Sequence, residues 1–139
     1  MAARLITEGE RVANEGNDAL VEALRDELRA AGLGRVILLG RLEHMRGPRL
    51  KVGLARWGFQ VLVPPAAEQA WLEQAIVAAM EEGVPRRADV EHLAALIAEG
   101  SEHGVEGLVL ACEELSPLVG ACGLELPLVE AWMLQGREV

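Results

Sequence analysis

The sequence predicts an α/β fold: a three-layer domain with a four-stranded parallel sheet and helices on both faces. Three observations carry this. Four short runs of Val, Leu and Ile stand along the chain, each closed by Gly, Pro or a polar residue, as strands buried on both faces do. Between them lie segments whose apolar residues fall at helical spacing. The two kinds alternate, and that alternation is the pattern of a parallel sheet wrapped by helices.

Residues 1–16 are polar and weakly patterned, an expected N-terminal arm, with the domain proper over 17–139. Leu20, Ala23, Leu24, Glu27, Leu28 and Ala31 predict the first helix, capped by Asn17 or Asp18 and ended at Gly32 and Gly34. Residues 35–40 read as the first strand and 41–47 as a charged loop. A helix follows over 48–57, with Leu50, Leu54 and Trp57 on one side. Residues 59–63 form the second strand, stopped by Pro64 and Pro65. The long helix 66–82 has its expected stripe at Ala67, Ala70, Trp71, Gln74, Val77 and Met80, and Gly83-Val84-Pro85 breaks it. The next helix, 88–100, carries Val90, Leu93, Leu96 and Ile97. Residues 107–111 are the third strand, 115–121 a short helix and 126–129 the fourth strand, before a short tail.

Composition narrows the function classes. The chain has 139 residues, enough for one proper core, and about half of them are hydrophobic. Its net charge of −9 makes it a poor binder of nucleic acid or anionic membrane. Tyr is absent, and Trp57, Trp71 and Trp132 with Phe59 are the whole aromatic set, so base-stacking platforms are scarce. No apolar run approaches the roughly 20 residues of a membrane span. The start carries Arg4, Glu8 and Glu10 where a secretory leader would be apolar. Cys112 and Cys122 fit no zinc spacing, and His92 and His103 are expected at the surface, so no metal set is read. These features lead to the expectation of a reducing, cytoplasmic location with both thiols free.

In open parallel sheets ligands bind beyond the carboxyl ends of the strands, which points to the loops beginning at Arg41, Pro64, Cys112 and Glu130. One of these carries a resemblance. Residues 104–115 (Gly-Val-Glu-Gly-Leu-Val-Leu-Ala-Cys-Glu-Glu-Leu) resemble the second-cysteine motif of the aspartate/glutamate racemase superfamily: an apolar strand, then Gly-Cys-Thr-Glu-Leu. Cys112, Glu114 and Leu115 match, while Ala111 and Glu113 replace the usual Gly and Thr. The order and spacing of 36–40, of 61–64 with Glu68-Gln69, and of 126–130 extend the resemblance over roughly 34–132, to the second of the two domains of that family. Glu130 stands where the family usually shows Asp.

The resemblance implies cofactor-independent chemistry at an α-carbon beside a carboxylate, with two thiols flanking the carbon. On that reading Cys112 and Glu114 are the catalytic candidates. Arg41, His44, Glu113 and Glu130 are the substrate-binding candidates, and no cofactor is needed. Two departures stand out. The family's first domain and its cysteine have no counterpart here, and Cys122 does not resemble it. Two carboxylate-holding Thr residues of the family are replaced by Arg41 and His44, a basic pair that can still bind a carboxylate. Each candidate also has an ordinary explanation. A Cys after a buried strand is usually a small core residue, an acid at a helix start is favoured by the dipole, and Arg41, His44 and Arg46 can be a solvated loop neutralised by Glu43. A helix start after Cys112 is expected to lower its pKa, with Glu113 and Glu114 opposing.

Two functions from different classes follow. One is a racemase-family enzyme acting on a small carboxylate or amino acid, with two copies of the chain, as a homodimer, bringing two Cys112 thiols to one pocket. The other is an inactive relative that binds a small carboxylate or a partner protein. A flavodoxin-like nucleotide or signalling domain is weaker, because Gly32 and Gly34 precede their strand where a phosphate loop follows it.

Overall fold

A 12-residue helix, α1 (Ala19–Ala30), opens the described structure. Asp18 caps it, accepting the Val21 backbone N–H at 3.4 Å, a contact type worth about 1 kcal/mol. The same carboxylate receives Arg49 Nε at 2.9 Å. Leu20, Leu24 and Leu28, four residues apart, are buried along one stripe, each contributing roughly 1.5–3 kcal/mol. The structure, a computed structural model, describes residues 18–134. The predicted arm at 1–16, the candidate cap Asn17 and residues 135–139 lie outside the described residues.

The chain then runs β1 (Arg35–Leu39), α2 (Leu42–Arg46), α3 (Pro48–Ala55), β2 (Gln60–Leu62), α4 (Ala66–Glu82) and α5 (Arg87–Glu102). It continues through β3 (Gly107–Leu110), a 3-10 turn (Glu113–Leu115), α6 (Ser116–Ala121), β4 (Leu128–Glu130) and α7 (Ala131–Leu134). The four strands form one parallel sheet in the order β2-β1-β3-β4. Alternate side chains of each strand enter opposite layers. Ile37, Leu39, Leu108 and Leu110 pack with Leu72, Ile76, Leu93, Ile97 and Leu118 of α4, α5 and α6. Val36, Leu38 and Val109 pack with Leu24, Leu28, Leu50, Leu54 and Leu134 of α1, α3 and α7. The three-layer α/β class is as predicted.

Four local readings are corrected. The charged loop 41–47 contains α2: the Arg41 backbone N–H donates to His44 Nδ1 at 3.0 Å, and buried Met45 anchors the turn. Only Met45 of its two apolar residues, Leu42 and Met45, is buried, and two positions in a charged segment give no helical period to read. The expected tail contains α7, because Ala131 and Leu134 close the second apolar cluster. The fourth strand lies at 128–130, later than 126–129, with Pro127 just ahead of it. Pro127 cannot donate, and its carbonyl accepts Leu108 N–H at 3.0 Å as the ladder begins. The buried face of α4 is Gln69, Leu72, Ala75, Ile76, Ala78 and Ala79; Gln74 and Met80 of the expected stripe face solvent. That helix is apolar nearly all round, so periodicity alone selects no face.

The sheet order places the topological switch between β1 and β3. From β1 the chain goes to β2 on one side, and β3 returns on the other. The crossover helices α3, toward β2, and α6, toward β4, pack on opposite faces of the sheet, which opens a crevice at the carboxyl ends of β1 and β3. The residues at that crevice are Gly40, Arg41, Ala111 and Cys112.

Candidate functional site

Gly40 is where the two strand ends meet. A Cβ there would stand 2.9 Å from both the Ala111 Cβ and His44 Nδ1, so only glycine lets β1, β3 and α2 approach this closely. Arg41 follows at the start of α2, and Cys112 in extended backbone (φ −137°, ψ 148°) before the 3-10 turn.

Arg41 is held by a residue absent from the predicted set. Its Nε donates to Glu73 Oε1 at 2.9 Å and its Nη2 to Oε2 at 2.5 Å, a two-pronged pair from the third turn of α4. Glu73 Oε1 also accepts the Leu42 backbone N–H at 3.3 Å. The hydrogen bonds from Arg41 hold the Glu73 carboxyl below its usual range, against the burial that would raise it. Reciprocally, the bond to Glu73 raises the Arg41 pKa, so the guanidinium is charged at every accessible pH.

Cys112 is buried with Leu39, Met45, Leu72 and Leu115 on the α4–α6 side of the sheet. Burial is the main cause that pushes its thiol up to about 11; the Glu114 charge and its hydrogen bond add to this, while the Leu115 N–H and the Arg41 charge oppose it. This overturns the expectation of a helix-lowered thiol. The element after Cys112 is a three-residue turn with little aligned dipole, and desolvation outweighs it. Cys112, Glu114 and Arg41 therefore lie within electrostatic reach of one another at the switch point.

The other candidates spread out. Glu113 is exposed. Glu130 ends β4, half-buried, and accepts Ser116 Oγ at 3.4 Å. Arg46 bonds the same face of α4 one turn earlier than Arg41 does, donating through Nε to Gln69 Oε1 at 3.2 Å, while Gln69 Nε2 donates to the Pro64 carbonyl at 2.8 Å. Arg41 and Arg46 are thus each engaged by their own partner on α4. His44 uses Nδ1 as an acceptor, so its neutral ring carries the proton on Nε2. His44 lines a cleft of about 290 Å³ with Leu20, Glu43, Arg49, Leu50, Ala111 and Ala131. This cleft opens on the α1–α3–α7 side of the same strand ends, near the lower size limit of small-ligand pockets.

Cys122 caps the end of α6, its Sγ directed at the carbonyls of Val90 (3.5 Å) and Leu118 (3.4 Å). Both cysteines are free thiols. His92 bonds Glu68 at 2.6 Å and stacks on Trp71, with ring centroids 4.0 Å apart. Among the described residues no group of three His, Cys, Asp or Glu side chains is placed to hold a metal ion. Among them too, no helix is long and apolar enough to cross a membrane.

Sequence reasoning missed Glu73 because it followed the wrong stripe of α4. The signal was present: Gln69 and Glu73 are four residues apart, on the same face as Leu72 and Ile76. Polar residues on the buried face of a helix, near its N-terminal turns, mark a polar pocket at the strand ends.

No protein-family model and no curated protein matches the sequence. The fold does match solved structures. An aspartate racemase homologue from Pyrococcus horikoshii OT3 superposes with a TM-score of 0.75 at 23% identity, covering 86% of this chain and 52% of the other. A candidate Asp/Glu racemase from Yersinia pestis gives 0.72 at 19% identity, covering 81% of this chain and 49% of that one. The chain thus has the fold of about half of each racemase-like structure, and spans about half their length.

Proposed function

We propose that this domain is a racemase-fold unit that binds a small carboxylate without turning it over. The carrying observation is the contrast at the switch point: a thiol at Cys112 buried among apolar side chains, beside a two-pronged donor at Arg41. Removing an α-proton needs a thiolate. Burial pushes the Cys112 thiol up to about 11, which favours the neutral thiol at neutral pH. Carboxylate binding needs only fixed donors, and the Arg41 fork and the Leu42 N–H are donors already arranged around a carboxylate, that of Glu73. The free thiols suit a reducing, cytoplasmic setting.

The test has two arms. Titration with acetate and succinate, followed by NMR, is expected to show binding that Arg41→Met abolishes. Incubation with aspartate and glutamate in deuterated water is expected to show no α-proton exchange dependent on Cys112. Exchange that vanishes in Cys112→Ala overturns the binding reading in favour of catalysis.

A second reading is kept by the half-length match to the racemase-like structures. In it a second copy, or a separate domain, faces the carboxyl edge and two thiols share one pocket. Its signature is a dimer in sedimentation whose Cys112 titrates near neutrality, since a substrate-lined pocket would have to stabilise the thiolate.

A further inference from the structure

We propose that Glu73 is the site's own competitor, its carboxylate filling the Arg41 fork that an incoming small carboxylate needs. This rests on the binding reading above. Glu73 reaches Arg41 from another element, 32 residues away in sequence, and engages it through both oxygens. Its Oε1 also takes the Leu42 N–H. The three donors Arg41 Nε, Arg41 Nη2 and Leu42 N are thus arranged around one carboxylate group. That is the geometry in which arginine recognises an external carboxylate.

Two features make the occupant replaceable. The pair keeps 26% and 24% of its side-chain exposure, so water and solutes reach it. Both apolar clusters also close without either residue. When Glu73 swings out, the three donors remain for a ligand, and its charge passes to solvent. Glu73 therefore sets the affinity of the site and restricts it to ligands that present a carboxylate able to bridge the same fork.

The experiment compares succinate and acetate binding to the wild type, Glu73→Gln and Glu73→Asp by calorimetry. Glu73→Asp retains the charge but loses one methylene of reach, which covers the case in which the Gln variant does not fold. The expected result is roughly fivefold to tenfold tighter binding in Glu73→Gln, a smaller gain in Glu73→Asp, and loss of both gains when Arg41→Met is added. Equal affinity in the wild type and the Glu73 variants, still lost with Arg41→Met, overturns the competitor role and leaves the carboxylate reading standing. No binding of either probe by any of these proteins overturns the reading and this inference together.

Discussion

Alkylating Cys112 over a range of pH measures how firmly the fold holds its thiol neutral. The perturbation is Glu114→Gln, made with Cys122→Ser so that one thiol reports. The wild-type thiol is pushed from 9.0 to about 11, first by burial and then by Glu114. A shift of that size leaves about a hundredfold less thiolate at neutral pH than an unperturbed cysteine has. The iodoacetamide rate of the Cys122→Ser parent should therefore rise steeply with pH and inflect near 11. Glu114→Gln removes the adjacent negative charge and moves the inflection down, but not below 9.0, because burial is the larger cause and is untouched. Arg41→Met moves it up, since a nearby positive charge is lost. In denaturant all variants should titrate alike. An inflection at or below 9.0 in the folded Cys122→Ser parent would refute the reasoning.

Three further outcomes follow from the same geometry. Because the folded thiol pKa is raised, its contribution to stability is complete below the unfolded value and is lost as pH rises from 9.0 through about 11; Cys112→Ala should flatten that alkaline fall in urea midpoints, and an unchanged fall sinks the assignment. Gly40→Ala places a Cβ 2.9 Å from Ala111 and His44, and should cost about 1–3 kcal/mol in urea unfolding while weakening carboxylate binding; wild-type stability would show that the strand ends are not closely apposed. Leu38 is fully buried in a central strand, so Leu38→Ala should cost about 2–5 kcal/mol, and a loss under about 1 kcal/mol would mean the layer is loosely packed.

Local chemistry makes the elements readable where one residue type decides the outcome. Gly34-Arg35 and Gly40 bracket β1, Pro64-Pro65 stop β2, and Gly83, at φ +83°, ends α4 in a backbone region that favours glycine. Where several faces are equally apolar, as along α4, or where one buried side chain anchors a helix, as Met45 does in α2, the pattern carries too little information. The site divides in the same way. Cys112, Glu114 and Arg41 come from the ends of two strands that any parallel sheet of this order brings together. Glu73 comes from a helix whose rotation only packing determines.

The sequence by itself determines the class of this protein. Four apolar strands alternating with helices predict a parallel sheet, with Cys112, Glu114 and Arg41 at its carboxyl edge. Only the tertiary structure decides what those residues are chemically. Whether Cys112 is a thiol or a thiolate depends on its desolvation and on the distance to Glu114. Whether Arg41 is open or occupied depends on how α4 is turned against β1. Both are properties of neighbours remote in the chain, so no local pattern records them. The thiol is held neutral, and the guanidinium is already holding a carboxylate.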